Sequence, residues 1–138
     1  MDPLSVTASI IAILQLSSKV MGYLNDVKDA PKERRRCAIE ITNLHSLLTN
    51  LRFRVEDGDP STPWFDRIRE LAKKGEALDQ FNDILKLLAD EMTDSKGRLG
   101  QLTEALVWKF KKDEMDRIMK SIERLKLLVL AAMEMDHL

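Results

Sequence analysis

Met115, Ile118, Ile122, Leu125, Val129 and Ala132 follow one another at steps of three and four residues. A 3.6-residue turn returns a side chain to the same side after three or four positions, so this series is the apolar face of an α-helix. The rhythm recurs upstream in Ile41, Leu44, Leu48, Leu51 and Val55, and again in Leu78, Phe81, Leu85, Leu88 and Met92. Near the start, Leu16, Val20, Tyr23, Leu24 and Val27 form a stripe opposite Gln15, Lys19, Gly22 and Asp26. With only five Gly and four Pro in 138 residues, the chain lacks the turn residues a β architecture needs. At 1.5 Å per residue, helices of about 25 residues reach about 35–40 Å, and long helices of matched length pack side by side. The expectation is an all-α fold, a helical bundle of four main helices with additional short helical segments, forming one domain over residues 1–138.

The breaks between these segments carry their own signals. Asp2 and Pro3 open the first helix, an acceptor side chain followed by a residue whose φ suits the first turn. In "DAPKERRR" Pro31 restarts the chain as a second helix, which ends in "EDGDPSTP" at Gly58 and two prolines. Ser61 or Thr62 caps a short helix begun at Pro63, carrying Trp64, Phe65, Ile68 and Leu71 towards Gly75. "TDSKGRLG" reads as a polar interruption, "QLTEALVWKF" as a short helical stretch and "KFKK" as a bend before the last helix.

The first helix is unusual in composition. No charged residue lies between Pro3 and Ser18, although a third of the whole chain is charged. Leu4, Val6, Ile10, Ile11, Ile13 and Leu14 point almost all the way round, so this half either lies centrally in a bundle or keeps apolar surface for another partner. Asp2 and the missing basic leader argue against a secretory signal, and the opening stretch falls short of the roughly 20 apolar residues of a bilayer span. Core packing and membrane activity are compatible, since a helix buried at rest can be released on activation.

No constellation for catalysis emerges. The chain has no Gly-rich phosphate loop, no zinc-binding histidine pair and no nucleophile elbow. Cys37 and His45 are about 12 Å apart along one helix, too far for a nucleophile and its base. His45 reads as a satisfied histidine, His137 as a solvated one, and Cys37 as a small core residue of an intracellular chain. The carboxylates of "EDGDP" lack the further ligands of a calcium loop. A net charge of −1 gives no electrostatic case for nucleic acid. The expectation is a non-enzyme with no cofactor, metal or small-molecule substrate.

Two basic clusters remain. Lys32, Arg34, Arg35 and Arg36 lie within five residues, and Lys109, Lys111 and Lys112 flank Phe110 close to Trp108. Either is an exposed helix end or a contact for anionic lipid headgroups, each cation near such a surface contributing about 1 kcal/mol. Aromatic and basic residues together also suit a membrane interface.

The segments "DPLSVTASIIAILQL", "YLNDVKDAPKERRR", "LLTNLRFRVED", "WFDRIRELAKKGEAL" and "ALVWKFKKDEMDRIMKSIERLKLLVLAA", in that order, resemble the N-terminal domains of fungal STAND proteins. These are the HeLo-like family that precedes the NACHT domains of fungal NOD-like receptors. Lys109 departs from the pattern by replacing a Pro between the two aromatics, which implies a softer kink there. The resemblance implies a helical bundle that induces programmed cell death, as in heterokaryon incompatibility, through oligomerisation and membrane permeabilisation by its N-terminal helix. Carried onto this chain, the insertion candidates are Leu4, Val6, Ile10, Ile11, Ile13 and Leu14. It further implies a chain cytoplasmic at rest and at the plasma membrane when active, with itself and anionic lipids as partners. The rival expectation is a soluble module that binds other helical domains or its own copies and does not enter lipid.

Overall fold

The computed structural model describes residues 3–25, 32–98 and 110–135, with side chains over 5–25, 32–90 and 110–134. Five helices follow in order: α1 (Pro3–Asn25), α2 (Lys32–Asp57), α3 (Pro63–Ala72), α4 (Ala77–Arg98) and α5 (Lys112–Met135). Four are long and of similar length, at 23, 26, 22 and 24 residues, and α3 is the short fifth at 10. The all-α bundle expected from the apolar seams is therefore the fold.

The four long helices close a ring. α1 packs along α2 and α4, and α5 packs along the same two, so α1 and α5 occupy opposite corners. Directions follow from particular contacts. Ser17 of α1 meets His45 of α2 and Asn25 neighbours Arg34 and Arg35, so α1 and α2 are antiparallel. Lys126 of α5 reaches Glu40 and Arg54 of α2 reaches the Met133 carbonyl, so α2 and α5 run the same way. Ile84 and Leu87 of α4 share a groove with Glu114 and Ile118, and Ala77 and Phe81 share one with Leu125 and Leu128, so α4 runs against α5 and hence along α1.

The seams lie inside. Ile41, Leu44, Leu48, Leu51 and Val55 of α2 and Met115, Ile118, Ile122, Leu125, Val129 and Ala132 of α5 are all buried in one cluster with Phe65, Phe81, Leu85 and Leu88. Cys37 belongs to it, and burial pushes its thiol pKa up to about 12. Of the expected α4 seam, Met92 lies outside the described side chains.

α3 closes one end of the bundle against α1, α4 and α5. Of the two expected caps, Thr62 is the one used: its hydroxyl accepts the Phe65 N–H at 3.2 Å, and Pro63 opens the helix. The Asp59 carboxyl accepts both the N–H and the hydroxyl of Ser61, which hold it below its usual range. The Trp64 indole donates to the Ala132 carbonyl at 2.6 Å, and the Arg54 guanidinium donates to that of Met133 at 2.9 Å. Both carbonyls lie in the last described turn of α5, so the two donors tie α3 and the end of α2 to it. At Gly58 an added Cβ would sit 2.7 Å from the Arg54 carbonyl oxygen, so the glycine permits the close turn out of α2.

One boundary differs from expectation. The polar interruption at "TDSKGRLG" does not end α4 at its first residues, since the helix continues to Arg98 with Gly97 inside it. A single interior glycine costs about 1 kcal/mol, which a long helix tolerates. Of the short helical stretch expected over 101–110 only Phe110 is described, and it is not helical; the rest of that stretch and the restart at Pro31 lie outside the described residues. The "KFKK" bend is seen in part: Phe110 and Lys111 are non-helical and α5 begins at Lys112.

Candidate functional site: the first helix and the basic end of the bundle

α1 is buried along one stripe rather than all round. Val6, Ile10, Ile13, Leu14, Val20 and Leu24 are buried with Ser17, and Ile11 is half-buried beside them. Four of the six insertion candidates are thus core side chains in this state, and Leu4 lies outside the described side chains. The expected all-round apolar helix is therefore corrected: at 3.6 residues per turn the six large apolar residues cover only about half its circumference. Ala8, Ala12, Gln15 and Ser18 face outward, and Lys19 is the first charge on that side.

That outward face is atypical. A surface helix of a soluble bundle normally presents charged residues to water. Here about three turns, from Ala8 to Ser18, present none. The helix is also longer than the opening stretch alone suggested: its segment Ser5–Asn25 has 21 residues and contains an 18-residue window of mean hydropathy 1.3, long and apolar enough by length and composition to cross a bilayer.

A buried polar contact ties α1 to α2. Ser17 is fully buried, and its hydroxyl donates to the Leu14 carbonyl at 3.0 Å. With that single proton committed, Nδ1 of His45 is the donor in the 2.6 Å contact with Ser17 Oγ. His45 is thus a satisfied histidine, as its place beside the seam implied; its partner was not identified from sequence because no local pattern pairs residues 28 apart.

The basic candidates separate into groups. Lys32, Arg35 and Arg36 are exposed at the start of α2, and Arg34 is half-buried. Lys111 and Lys112 are exposed at the start of α5, and Lys109 lies outside the described residues. Because α2 and α5 are parallel, both starts lie at one end of the bundle, together with Asn25 at the end of α1. Glu33, Asp113 and Glu114 accompany them, so α5 contributes a mixed rather than a purely basic surface. The apolar first half of α1 lies towards the other end, with Ala8 about 25 Å from Asn25 by helical rise. The structure puts Lys32, Arg34, Arg35 and Arg36 at the same end of the bundle as Lys111 and Lys112, and away from the insertion candidates.

Among the described residues no group of three or more His, Cys, Asp or Glu side chains is placed to hold a metal ion. No protein-family model, no curated protein and no solved structure matches the chain.

Proposed function

We propose that this chain is an N-terminal cell-death effector domain of the fungal NOD-like receptor type, which oligomerises and permeabilises membrane through α1. The observation that carries the reading is the uncharged outward face of α1 on a helix of bilayer length. Its resemblance to HeLo-like domains points the same way. In this reading the resting bundle keeps Val6, Ile10, Ile13 and Leu14 in its core, and clustering of several copies favours release of α1 towards lipid. Copies held together add individually weak lipid contacts at high effective concentration. The basic end meets anionic headgroups, and α1 joins that end through its C-terminal residue, so its apolar half swings over to reach the bilayer. The domain acts without catalysis or cofactor, at rest in the cytoplasm and in action at the plasma membrane.

A second reading has its own support. Ile10 and Val6 are fully buried, as in a soluble bundle that binds other helical domains through the small-residue face of α1. Ile10→Glu does not separate the two, because an unpaired buried carboxylate costs several kcal/mol and unfolds either protein. The double variant Ala8→Asp/Gln15→Asp does. Both sites are exposed on the same line of α1, so the fold loses only about 1 kcal/mol of helix propensity. In a bilayer, an aspartate near the helix centre costs about 2.5–3.5 kcal/mol. The artificially clustered wild-type chain is expected to release dye from anionic liposomes, and the equally folded double variant to release little. Undiminished leakage from the variant would remove α1 from the mechanism. Absence of leakage from the clustered wild type would favour the interaction module.

A further inference from the structure

Two rows of side chains run along one face near the start of α2. Arg34, Ala38 and Thr42 form one row, and Arg35, Ile39 and Asn43 the other, each stacked on successive turns. Together with Asn25 of α1 they line an open groove of about 510 Å³. Both guanidiniums belong to its N-terminal end. Ala38 is small enough to leave a floor between the rows, and Ile39 stands 58% exposed at the rim. The Thr42 hydroxyl already donates to the Ala38 carbonyl at 2.7 Å, so the amides of Asn25 and Asn43 are the neutral side-chain donors at this groove.

Arg52, Arg69, Lys73 and Lys126 each hold a carboxylate. Arg34 and Arg35, like Arg36 and Lys120, hold none among the described residues, and Arg34 Nε, like Arg69 Nε, is enclosed without a hydrogen-bond partner. What sets this pair apart is that both side chains line one groove. Nor does folding account for them, since cations in the first turns of a helix oppose its macrodipole. A pair of unpartnered guanidinium forks beside an apolar rim requires a ligand with a concentrated negative charge and an apolar body.

We propose that this groove binds the phosphomonoester headgroup of a lipid of the phosphatidic acid type. The phosphate lies between Arg34 and Arg35, and the glycerol and first acyl carbons lie along Ala38 and Ile39. A phosphomonoester carries close to two charges at neutral pH, matching two guanidiniums, whereas a phosphodiester carries one. Free phosphate would leave the Ala38–Ile39 side unused. The lipid source rests on the membrane reading above; the anion site does not.

Flotation of the full chain with vesicles tests this. Phosphatidylcholine vesicles carrying phosphatidic acid are compared with vesicles carrying twice the mole fraction of phosphatidylglycerol, which matches the surface charge. The expected result is binding at least about fivefold tighter to phosphatidic acid, with Arg34→Gln and Arg35→Gln each losing about fivefold. Asn43→Asp, which places a carboxylate in the groove, should abolish the preference, and the exposed Lys120→Gln should leave it intact. Equal binding to the two charge-matched vesicles, or an equal loss with Lys120→Gln, would overturn the site in favour of diffuse attraction. Titration with inorganic phosphate, followed through the backbone amides of Ala38 and Asn43, separates the sources: binding of phosphate with no binding to vesicles would overturn the lipid. Thermal melts of each variant establish that the fold is kept. Since leakage is not read here, groove binding without permeabilisation counts against the effector reading alone, and permeabilisation without headgroup preference counts against the groove alone.

Discussion

Cys37 shows how far one buried side chain departs from its ordinary chemistry. The thiol has no solvent exposure and its pKa is raised from 9.0 to about 12 by burial alone. The thiolate is the reactive form, so native Cys37 is expected to alkylate more than about a hundredfold more slowly at pH 8 than the thiol of the urea-unfolded chain. A mass-spectrometric time course with iodoacetamide checks this, and fast native labelling would show that the start of α2 opens readily. The pH dependence follows from the same shift. The unfolded thiol ionises near its ordinary value while the folded one does not, so this group's contribution to stability is complete below pH 9 and is lost as pH rises towards about 12. Cys37→Ala should flatten that slope in urea titrations between pH 8 and 10. Its core role was legible from sequence because it lies four residues before Ile41, in register with the seam. Ser17 was not: a serine among apolar neighbours carries no sign that His45 of another helix will meet it.

Among the elements, α3 was the most legible and the end of α5 the least. Thr62 followed by Pro63 combines a cap acceptor with a preset φ, so the start of α3 was available from neighbouring residues alone. The tie at the end of α5 depends on Arg54 and Trp64, 79 and 68 residues away from the carbonyls they serve. Periodicity reports which face is apolar but not which partner covers it. The apolar circumference of α1 was also overstated: at 3.6 residues per turn Leu4, Val6, Ile10, Ile11, Ile13 and Leu14 cover only about half the helix, which leaves Ala8, Ala12 and Gln15 to face outward. Trp64→Phe keeps an aromatic ring in the core while removing the donor to the Ala132 carbonyl. The expected cost is about 1–2 kcal/mol in urea unfolding, with α5 amides near Ala132 losing hydrogen-exchange protection before those near Ile118. A uniform loss of protection along α5 would mean that the indole contributes by packing rather than by holding the helix end.

At the scale of the molecule, the feature that matters for the proposed function is the separation of charge from apolarity. Directions within the ring put the starts of α2 and α5 at one end, and the first half of α1 towards the other. These directions depend on cross-helix contacts such as Arg54 to Met133, which no local sequence pattern announces. A bundle that first meets an anionic bilayer through its basic end therefore holds Ala8 about 25 Å from the headgroups, by the rise of α1. In the proposed function the apolar half reaches lipid once the Ser17–His45 bond and the core contacts of α1 are given up. A fluorophore placed in turn at Lys112→Cys, Lys74→Cys and Ala8→Cys reports the order of events, with Cys37 silent because it is buried. Quenching by brominated lipid is expected at position 112 as soon as the chain binds, at position 8 only after clustering, and at position 74 last or not at all. Quenching at position 8 upon binding, before clustering, would mean that α1 is free of the bundle from the start and that oligomerisation follows insertion.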